Sequence, residues 1–368
     1  MAGTRSRHIL ALEPWFSGSH RQFLEGLRQH SRHRIHLMTL PGRYWKWRQT
    51  GSGMQLANRF LEQAPRCDLL FASDFLQLND FLALTRHRLK QVPVVVYFHE
   101  NQLGYPLQAS HNLDRAYPLI NIASTLSADI LLFNSEYHLN TFLDDLDVFL
   151  RACPDHALDD PSEIIQQKAQ VMPMGLDLPA VAERNRQSGS PLTILWNHRW
   201  EHDKNPEDFF ELLFRLHDQG LDFRLAVAGQ QFKQRPAIFD QAHERLSDRI
   251  IHWGYIPDRE HYIQLLQQSD IVISMANHDY FGISVIEAMS AGCFPLLAKR
   301  LNYPYLIPAE HHSDHLAENC DELQQKLIAL LEGKIELKPE SFHEWASQYD
   351  WHDRIKDFDS LFSTVEAL

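Results

Sequence analysis

Short apolar runs alternate with amphipathic segments along the whole chain, and this alternation predicts an α/β protein. The apolar runs are bounded by Gly, Pro, Asn or Ser, while the segments between them place apolar residues at helical spacing. Repeated strand and helix units of this kind form a parallel, doubly wound sheet. In the first half of the chain the predicted strands are 8–12, 35–40, 68–72, 92–98, 129–133 and 171–174, with helices such as 21–29 and 113–126 between them.

A polar stretch at residues 183–191 interrupts this alternation and is typical of a linker. The sequence therefore predicts two Rossmann-like domains, at 1–180 and 191–340, that face each other across a cleft. Ligands of such sheets bind outside the carboxyl ends of the strands, so we expect a site in the cleft. A helix at about 351–365 comes too late for the second sheet, and we expect residues 341–368 to pack back toward the first domain. The predicted strands of the second domain are 193–196, 223–228, 250–253, 270–274 and 293–298, with helices at 206–217, 258–267 and 282–291.

Length and composition restrict the class of protein. The chain has 368 residues, enough for two domains, and its 44% hydrophobic and 23% charged residues are in the globular range. No run of about 18 apolar residues occurs, and the apolar run near the N-terminus is too short for a signal peptide. We therefore expect a cytoplasmic protein without membrane contact. Four scattered cysteines fit neither a disulfide framework nor a zinc site and are expected to be buried free thiols: Cys67, Cys153, Cys293 and Cys320.

Charge is divided unevenly along the chain. The whole sequence has a net charge of -13, which argues against nucleic acid, but residues 1–100 contain 14 Lys and Arg against 7 Asp and Glu, a net of +7. Such a split indicates either a surface that faces a polyanion or a solvated surface with local charge bias. Within this lobe, residues 43–48 interleave three aromatic rings with three cations, a composition that can stack on unpaired RNA bases and meet phosphates. One of its two Trp rings could equally belong to the domain core.

Two predicted strands of the first domain end in polar residues that could meet a ligand. The first runs into Ser17-Gly18-Ser19-His20 and a helix, so that a small-residue turn presents backbone N–H groups at a helix N-terminus. A plain tight turn is the alternative, because the full glycine-rich fingerprint is missing. The fourth strand delivers His99-Glu100-Asn101-Gln102 at its carboxyl end, where such sheets bind ligands. The alternative is that His99 only caps the sheet.

Two cations precede a predicted helix in the second domain. Arg199 and Lys204 lie between a strand and a helix that Pro206 can start. Arg199 could bind phosphate oxygens by paired hydrogen bonds while Lys204 supplies a point charge, which would stabilise a negative leaving group without a metal. The alternative is a surface ion-pair cluster with Glu201 and Asp203.

The most specific pattern lies at residues 274–292, where a strand ends in polar residues and Gly282 opens a helix. Asp279 in the loop precedes Glu287 in the helix by eight positions, so both carboxylates can face one ligand at two points along its length. Carboxylates that accept hydrogen bonds from vicinal hydroxyls hold sugars and riboses. The pattern therefore indicates a sugar or nucleotide ligand, with a purely structural Glu287 as the alternative.

These motifs resemble those of retaining family 4 glycosyltransferases of the GT-B fold. The Asp279-x7-Glu287 spacing, together with Arg199 and Lys204, is similar to that family's E-x7-E and Arg/Lys signature, although the family has Glu where this chain has the shorter Asp279. The likeness extends from about residue 10 to about residue 308. Four strings resemble more narrowly the tRNA-queuosine alpha-mannosyltransferase group: Phe16-Ser17-Gly18-Ser19-His20, Tyr44-Trp45-Lys46-Trp47-Arg48, Tyr97-Phe98-His99-Glu100-Asn101-Gln102 and His198-Arg199-Trp200-Glu201-His202-Asp203-Lys204.

The resemblance implies a role for each matching residue. Arg199 and Lys204 would hold the donor diphosphate, and Glu287 would bind the nucleotide ribose. His99 near the transferred sugar and Asp279 on its hydroxyls are the candidate catalytic residues. Further donor-binding candidates are Gly18 beside the phosphates and the backbone groups of Phe281, Gly282 and Ile283. The acceptor-binding candidates are His20, Trp45, Lys46, Trp47 and Arg48.

The resulting prediction is a retaining hexosyltransferase that moves mannose from GDP-mannose to queuosine in a tRNA anticodon. No DxD-type metal motif is evident, so neither a metal nor a cofactor is expected, and the expected partners are the nucleotide-sugar donor and queuosine-containing tRNA. Two alternatives remain: a family 4 enzyme that glycosylates a lipid or oligosaccharide, and a catalytically idle RNA-binding protein with the same fold. Retention of Arg199, Lys204 and Glu287 argues against the idle form.

Overall fold

Two compact units make up the computed structural model, which describes residues 6–104, 115–153, 155, 159–182, 190–232 and 235–366. The first unit extends to Asp177 and is completed by the residues from Tyr349 onward, and the second spans Leu178–Gln348. Within the described residues each unit contains a six-stranded sheet whose strand pairs are all parallel. The predicted α/β class with two Rossmann-like, doubly wound sheets is confirmed. Most of the predicted linker, residues 183–189, lies outside the described residues.

The first unit follows the predicted alternation, with two differences. An unpredicted helix follows the second strand, and the sixth strand forms three residues long, ending where the predicted strand at 171–174 begins. Residues 113 and 114 of the helix predicted at 113–126 lie outside the described residues. In chain order the elements are β1 (His8–Phe16), α1 (Gly18–His30), β2 (Arg34–Pro41), α2 (Trp45–Gln63), β3 (Leu69–Ser73), α3 (Leu78–Thr85), β4 (Val94–Phe98), α4 (Ala116–Ser127), β5 (Ile130–Phe133), α5 (Glu136–Arg151), α6 (Ser162–Lys168) and β6 (Ala169–Val171).

The second unit has all five predicted strands and a short sixth. Its 3₁₀ turns are His202–Lys204 and Ala309–His311. Its other elements are β7 (Leu192–Trp196), α7 (Pro206–Asp218), β8 (Phe223–Ala228), α8 (Ile238–Arg245), β9 (Ile250–Gly254), α9 (Arg259–Gln268), β10 (Ile271–Ser274), α10 (Ile283–Ser290), β11 (Phe294–Ala298), α11 (Tyr303–Leu306), α12 (His312–His315), β12 (Leu316–Ala317), α13 (Cys320–Leu331) and α14 (Pro339–Ser347).

The strand orders fix where each sheet can bind a ligand. The first sheet has the order β2-β1-β3-β4-β5-β6 and the second β12-β11-β10-β7-β8-β9. The chain reverses its winding direction between β1 and β3 in the first sheet and between β7 and β10 in the second, and such switch points open a crevice at the carboxyl ends of the strands. Strands such as β3, β4 and β7 are buried along their whole length because helices cover both faces, which explains their unbroken apolar runs.

The last helix, α15 (Trp351–Thr364), belongs to the first unit and packs on α1. The Trp351 ring lies against Gly26 and Gly175 so closely that a Cβ at either glycine would collide with it. Asp359 accepts hydrogen bonds from Ser31 Oγ at 2.5 Å and from a neighbouring backbone N–H at 3.1 Å. Helix α14 packs on α10 in the second unit, so the transition between units falls at residue 348 and not at 341.

The expectation of four buried thiols is wrong for three of them. Only Cys293 is buried, whereas Cys67, Cys153 and Cys320 are partly exposed because they lie next to the ends of β3, α5 and α13. Among the described residues, no helix combines the length and the apolar character that crossing a membrane requires.

Candidate active site

Lys204 joins two loops at the switch point of the second sheet. One loop follows β7 and leads through a 3₁₀ turn to Pro206, which starts α7, and the other follows β10. The Lys204 ammonium donates to the His278 carbonyl at 2.5 Å and lies 3.2 Å from Asp203 Oδ2, and only 8% of the residue is exposed. Lys204 therefore holds the loop that carries Asp279 in place as well as supplying positive charge beside it.

Arg199 is the more accessible of the two predicted phosphate ligands. Its Nη1 lies 3.1 Å from Glu201 Oε2, and 51% of its side chain is exposed. Burial would raise the pKa of Asp203, but Lys204 and Arg199 together lower it below the ordinary value. The ion-pair arrangement considered as an alternative is therefore present, and the exposed Arg199 guanidinium can still approach a ligand.

Asp279 shapes the turn into α10. Its Oδ1 accepts hydrogen bonds from the backbone N–H groups of Gly282 at 2.9 Å and Phe281 at 3.3 Å, while the Tyr303 hydroxyl lies 3.5 Å from its Oδ2. Gly282 has φ +93°, a left-handed conformation that favours glycine. The N–H groups of Phe281 and Gly282, predicted to face the donor, are thus directed at Asp279. The carboxylate fixes the start of α10, where Ile283 is the first residue, and Oδ2 is its atom not used by these N–H groups.

Glu287 is held by side chains that the sequence analysis missed. The residue is 7% exposed, its Oε1 lies 2.6 Å from Arg259 Nη1, and its Oε2 accepts a hydrogen bond from the Tyr262 hydroxyl at 3.3 Å. The same hydroxyl accepts from Asn197 Nδ2 at 3.0 Å. Arg259 and Tyr262 lie three positions apart in α9, which places them on one helix face and was the available signal. The carboxylate is therefore fixed in orientation, as a ribose ligand requires.

His198 adds a neutral imidazole to this site. Its ring is buried, with Nδ1 3.1 Å from Ser284 Oγ, and its Nε2 has no hydrogen-bond partner among the described residues. Burial lowers the pKa of His198 to about 4, and the nearby Lys204 and Arg199 contribute. Gly229 after β8 has φ +148° and lies so close to the His198 carbonyl that a Cβ there would collide with it. Glycine at 229 is therefore a second feature that the sequence analysis missed.

A second polar group, here called the histidine cluster, lies at the carboxyl ends of β1, β3 and β4 in the first unit and comprises Glu13, His20, Asp74 and His99. His20 Nδ1 donates to Glu13 Oε2 at 3.0 Å, and the His20 and His99 ring centroids are 4.1 Å apart. The backbone N–H of His99 donates to Asp74 Oδ1 at 2.9 Å. His20, Glu13 and Asp74 are buried, whereas His99 is partly exposed. The structure thus brings the predicted His20 and His99 together and adds two carboxyl groups that sequence analysis did not single out.

The two imidazoles of the histidine cluster differ in charge. Burial alone would lower the pKa of His20, but Glu13, with smaller contributions from Asp74 and Glu100, raises it to about 9. Burial lowers the pKa of His99 well below its usual value, and the charged His20 lowers it further. The pKa of Asp74 is raised well above the ordinary value, mainly by burial. His99 is therefore neutral near pH 7, and its buried Nδ1 has no hydrogen-bond partner among the described residues.

The remaining predicted residues surround the start of α1 and the start of α2. Gly18 is the first residue of α1 at φ +50°, with open space where a side chain would be. Trp45 and Trp47 are 40% and 55% exposed, so neither ring belongs to the core. Lys46 is exposed, but Arg48 is buried and donates to the Pro41 carbonyl at 3.2 Å, because the first turn of α2 directs it toward β2.

One group of side chains in the described residues could hold a metal ion. Glu13, His20 and His99 offer ligand atoms that all lie within 4.8 Å of one another. The Nδ1 atom of His20 is occupied by its bond to Glu13, and a protonated His20 repels cations. These three residues therefore form an ion pair beside a neutral histidine more readily than a metal centre.

Family models match both parts of the chain. Residues 8–176 match the model of the tRNA-queuosine alpha-mannosyltransferase N-terminal region, and residues 181–348 match that of the glycosyl transferases group 1. Among solved structures, Anabaena Alr3699/HepE in complex with UDP has a TM-score of 0.70 at 15% identity, covering 97% of this chain and 100% of that one, a likeness of fold alone. The protein is a glycosyltransferase with the α/β architecture of the GT-B class.

Similar sequences narrow this class to a family. The tRNA-queuosine alpha-mannosyltransferase of Drosophila melanogaster is 34% identical over 314 residues, which is 83% of this chain and 82% of that protein. The GDP-mannose:cellobiosyl-diphosphopolyprenol alpha-mannosyltransferase of Xanthomonas campestris is 24% identical over 196 residues, 51% of this chain and 50% of that protein. The chain belongs to the tRNA-queuosine alpha-mannosyltransferase family.

Proposed function

We propose that this protein transfers mannose from GDP-mannose to the queuosine nucleoside of tRNA, with retention at the anomeric carbon. The observation that carries this proposal is the identity to the Drosophila enzyme over 83% of the chain, which is more than either unit contains. The relatives that use GDP-mannose support mannose as the transferred sugar. The proposed location is the cytoplasm.

The second unit supplies the donor site in this proposal. Arg199 binds phosphate oxygens of the donor and Lys204 adds positive charge, so that GDP leaves as a stabilised anion when the anomeric carbon bonds to the acceptor hydroxyl. Glu287, fixed by Arg259 and Tyr262, accepts hydrogen bonds from the ribose hydroxyls. Because cationic side chains can stabilise the leaving group, we propose that no metal ion is required.

His99 and Asp279 act on the sugar in this proposal. His99 is neutral and partly exposed at the end of β4, so it can form a hydrogen bond with a sugar hydroxyl without the cost of burying a charge. Asp279 contributes Oδ2, since Oδ1 already holds the turn into α10. The shorter Asp is therefore anchored by the backbone, which compensates for the missing methylene by fixing its position.

A donor and acceptor matrix tests this proposal. The purified protein is incubated with GDP-mannose or UDP-glucose, each combined with queuosine-containing tRNA, queuosine-free tRNA or a polyprenyl diphosphate oligosaccharide. We expect transfer of label only from GDP-mannose to queuosine-containing tRNA. Transfer to the lipid-linked acceptor in preference to tRNA would overturn the acceptor, and preference for UDP-glucose would overturn the donor.

A further inference from the structure

A concavity of about 440 Å³ lies on the first unit between the end of β2 and helix α2. Three arginines line it, Arg43, Arg48 and Arg59, together with the side-chain amides of Gln55 and Asn58. None of its lining residues is acidic. The concavity therefore presents positive charge and hydrogen-bond donors to whatever enters it.

The guanidinium groups are anchored by neutral acceptors. Arg48 Nη1 donates to Gln55 Oε1 at 3.2 Å, and Arg59 Nη1 donates to the Thr39 carbonyl at 2.9 Å. Burial lowers the pKa of Arg48, and the positive charges of Arg43 and Arg59 lower it further. Three close cations whose recorded partners are all neutral repel one another, and an anion bound among them would relieve that repulsion.

Exposed aromatic rings border the concavity. Tyr44 follows Arg43 directly and is 73% exposed, and Trp47 precedes Arg48 and is 55% exposed. Tyr44 adopts a left-handed backbone conformation at φ +57°, which is uncommon for a residue with a side chain. Arg43 lies over the Tyr44 ring at 5.9 Å. Aromatic rings next to arginines match the chemistry of an unpaired nucleotide, which offers a base to stack and a phosphate to bind.

We propose that the concavity lined by Arg43, Arg48 and Arg59 binds a backbone phosphate of the acceptor RNA, with the rings of Tyr44 and Trp47 stacking on an adjacent unpaired base. This proposal rests on the proposed function, because it makes tRNA the occupant. A membrane surface fits the feature less well, since a lipid headgroup gives a stacking ring no partner, whereas an unpaired base does.

The test compares two double variants with equal loss of charge. The Arg43→Gln and Arg59→Gln variant removes the two exposed arginines and leaves the buried Arg48 in place. The control, Arg28→Gln with Arg34→Gln, removes exposed arginines from α1 and from the opposite end of β2. Fluorescence anisotropy with labelled queuosine-containing tRNA over a salt series gives affinities, and steady-state transfer assays give KM and kcat.

We expect the pocket variant to bind tRNA at least about tenfold more weakly near 0.1 M salt, with a salt slope reduced by about 1.4 for two lost contacts. Its KM for tRNA rises accordingly, its KM for GDP-mannose is unchanged, and the control variant behaves as the parent. Affinity for queuosine-free tRNA falls by the same factor, because a phosphate contact does not read the base.

Other results separate the pocket from the proposed function. If the parent mannosylates queuosine-containing tRNA and the pocket variant matches the control, the phosphate site is overturned while the function stands. If the parent neither binds nor modifies this tRNA, the proposed function fails first. If the parent binds phosphatidylglycerol vesicles and only that binding is lost in the pocket variant, the concavity belongs to a lipid surface and the RNA assignment is overturned.

Discussion

The rings of His20 and His99 lie 4.1 Å apart, and the charge on one determines the charge on the other. Glu13 keeps His20 protonated, and a second imidazolium at that distance from the first would be repelled. His99 therefore stays neutral at the position where the proposal puts the transferred sugar. Glu13 and His20 position His99 electrostatically in this account and need not touch the substrate.

The pH dependence of folding stability tests the Glu13 and His20 pair. The pKa of His20 is raised from 6.5 unfolded to about 9 folded, so its contribution is complete below pH 6.5 and is lost as pH rises toward 9. We expect the difference in unfolding free energy between the parent and His20→Gln to shrink as pH rises from about 6 to about 10. Urea unfolding across this range measures it. A difference that stays constant would contradict the assignment.

Arg199 and Lys204 differ in what else they support, and their Ala variants should differ accordingly. Loss of a charge-assisted hydrogen bond costs about 1.5 to 3 kcal/mol, so each variant should lose at least tenfold in kcat/KM for the donor. Lys204→Ala also leaves Asp203 buried without its cation and should lower Tm, whereas the exposed Arg199→Ala should not.

Steady-state kinetics and thermal unfolding measured together check this prediction. Arg224→Ala serves as the control, since Arg224 is an exposed arginine of β8 in the same unit. Near-normal donor kinetics in both Arg199→Ala and Lys204→Ala, at subsaturating GDP-mannose, would show that the diphosphate binds elsewhere.

At the scale of the elements, the turn after β8 is shaped by one glycine. Gly229→Ala places a Cβ against the His198 carbonyl at a backbone φ of +148°, so the loop after β7 must move. We expect a loss of at least about 2 kcal/mol of stability together with weaker donor binding. Gly220→Ala is the control, because Gly220 has φ +76° but open space around it and should lose stability without losing donor affinity. Equal effects of both variants on donor binding would refute the role of Gly229.

The strands and the helices between them could be predicted because their signals are local. Helix α2 could not, since Gly51 and Gly53 in its interior argue against a helix. Tertiary packing decides otherwise, because a Cβ at Gly53 would collide with the Gln77 carbonyl and Gly51 lies against the Trp47 ring. The glycines that disfavour α2 in isolation are the residues that let it pack.

The candidate site was predictable only where its residues share a short motif. His99, Arg199 and Glu287 each follow a strand or start a helix in a recognisable string. Glu13 and Arg259 became visible only in the folded chain, since their partners His20 and Glu287 come from other elements and the contact depends on strand order and helix packing. Pairings across a sheet of this kind leave no local signal in one sequence.

At the scale of the whole molecule, the proposed chemistry should not depend on a metal. Cations from Arg199 and Lys204 serve the leaving group, and the Glu13 and His20 ion pair occupies the only side-chain group of the described residues with metal-binding geometry. Transfer activity should therefore survive EDTA treatment, measured against a sample given EDTA with excess Mg²⁺. Complete loss of activity that Mg²⁺ or Mn²⁺ restores would show that the leaving group is served by an ion.

The central claim is that this protein attaches α-linked mannose to queuosine in tRNA. Its most direct test is mass spectrometry of nucleosides digested from tRNA after incubation with GDP-mannose, followed by α-mannosidase treatment. We predict that queuosine gains the mass of one hexose, that α-mannosidase removes it, and that queuosine-free tRNA stays unmodified. Queuosine that remains unchanged with active protein and GDP-mannose, or a hexose found on another nucleoside, would contradict the account.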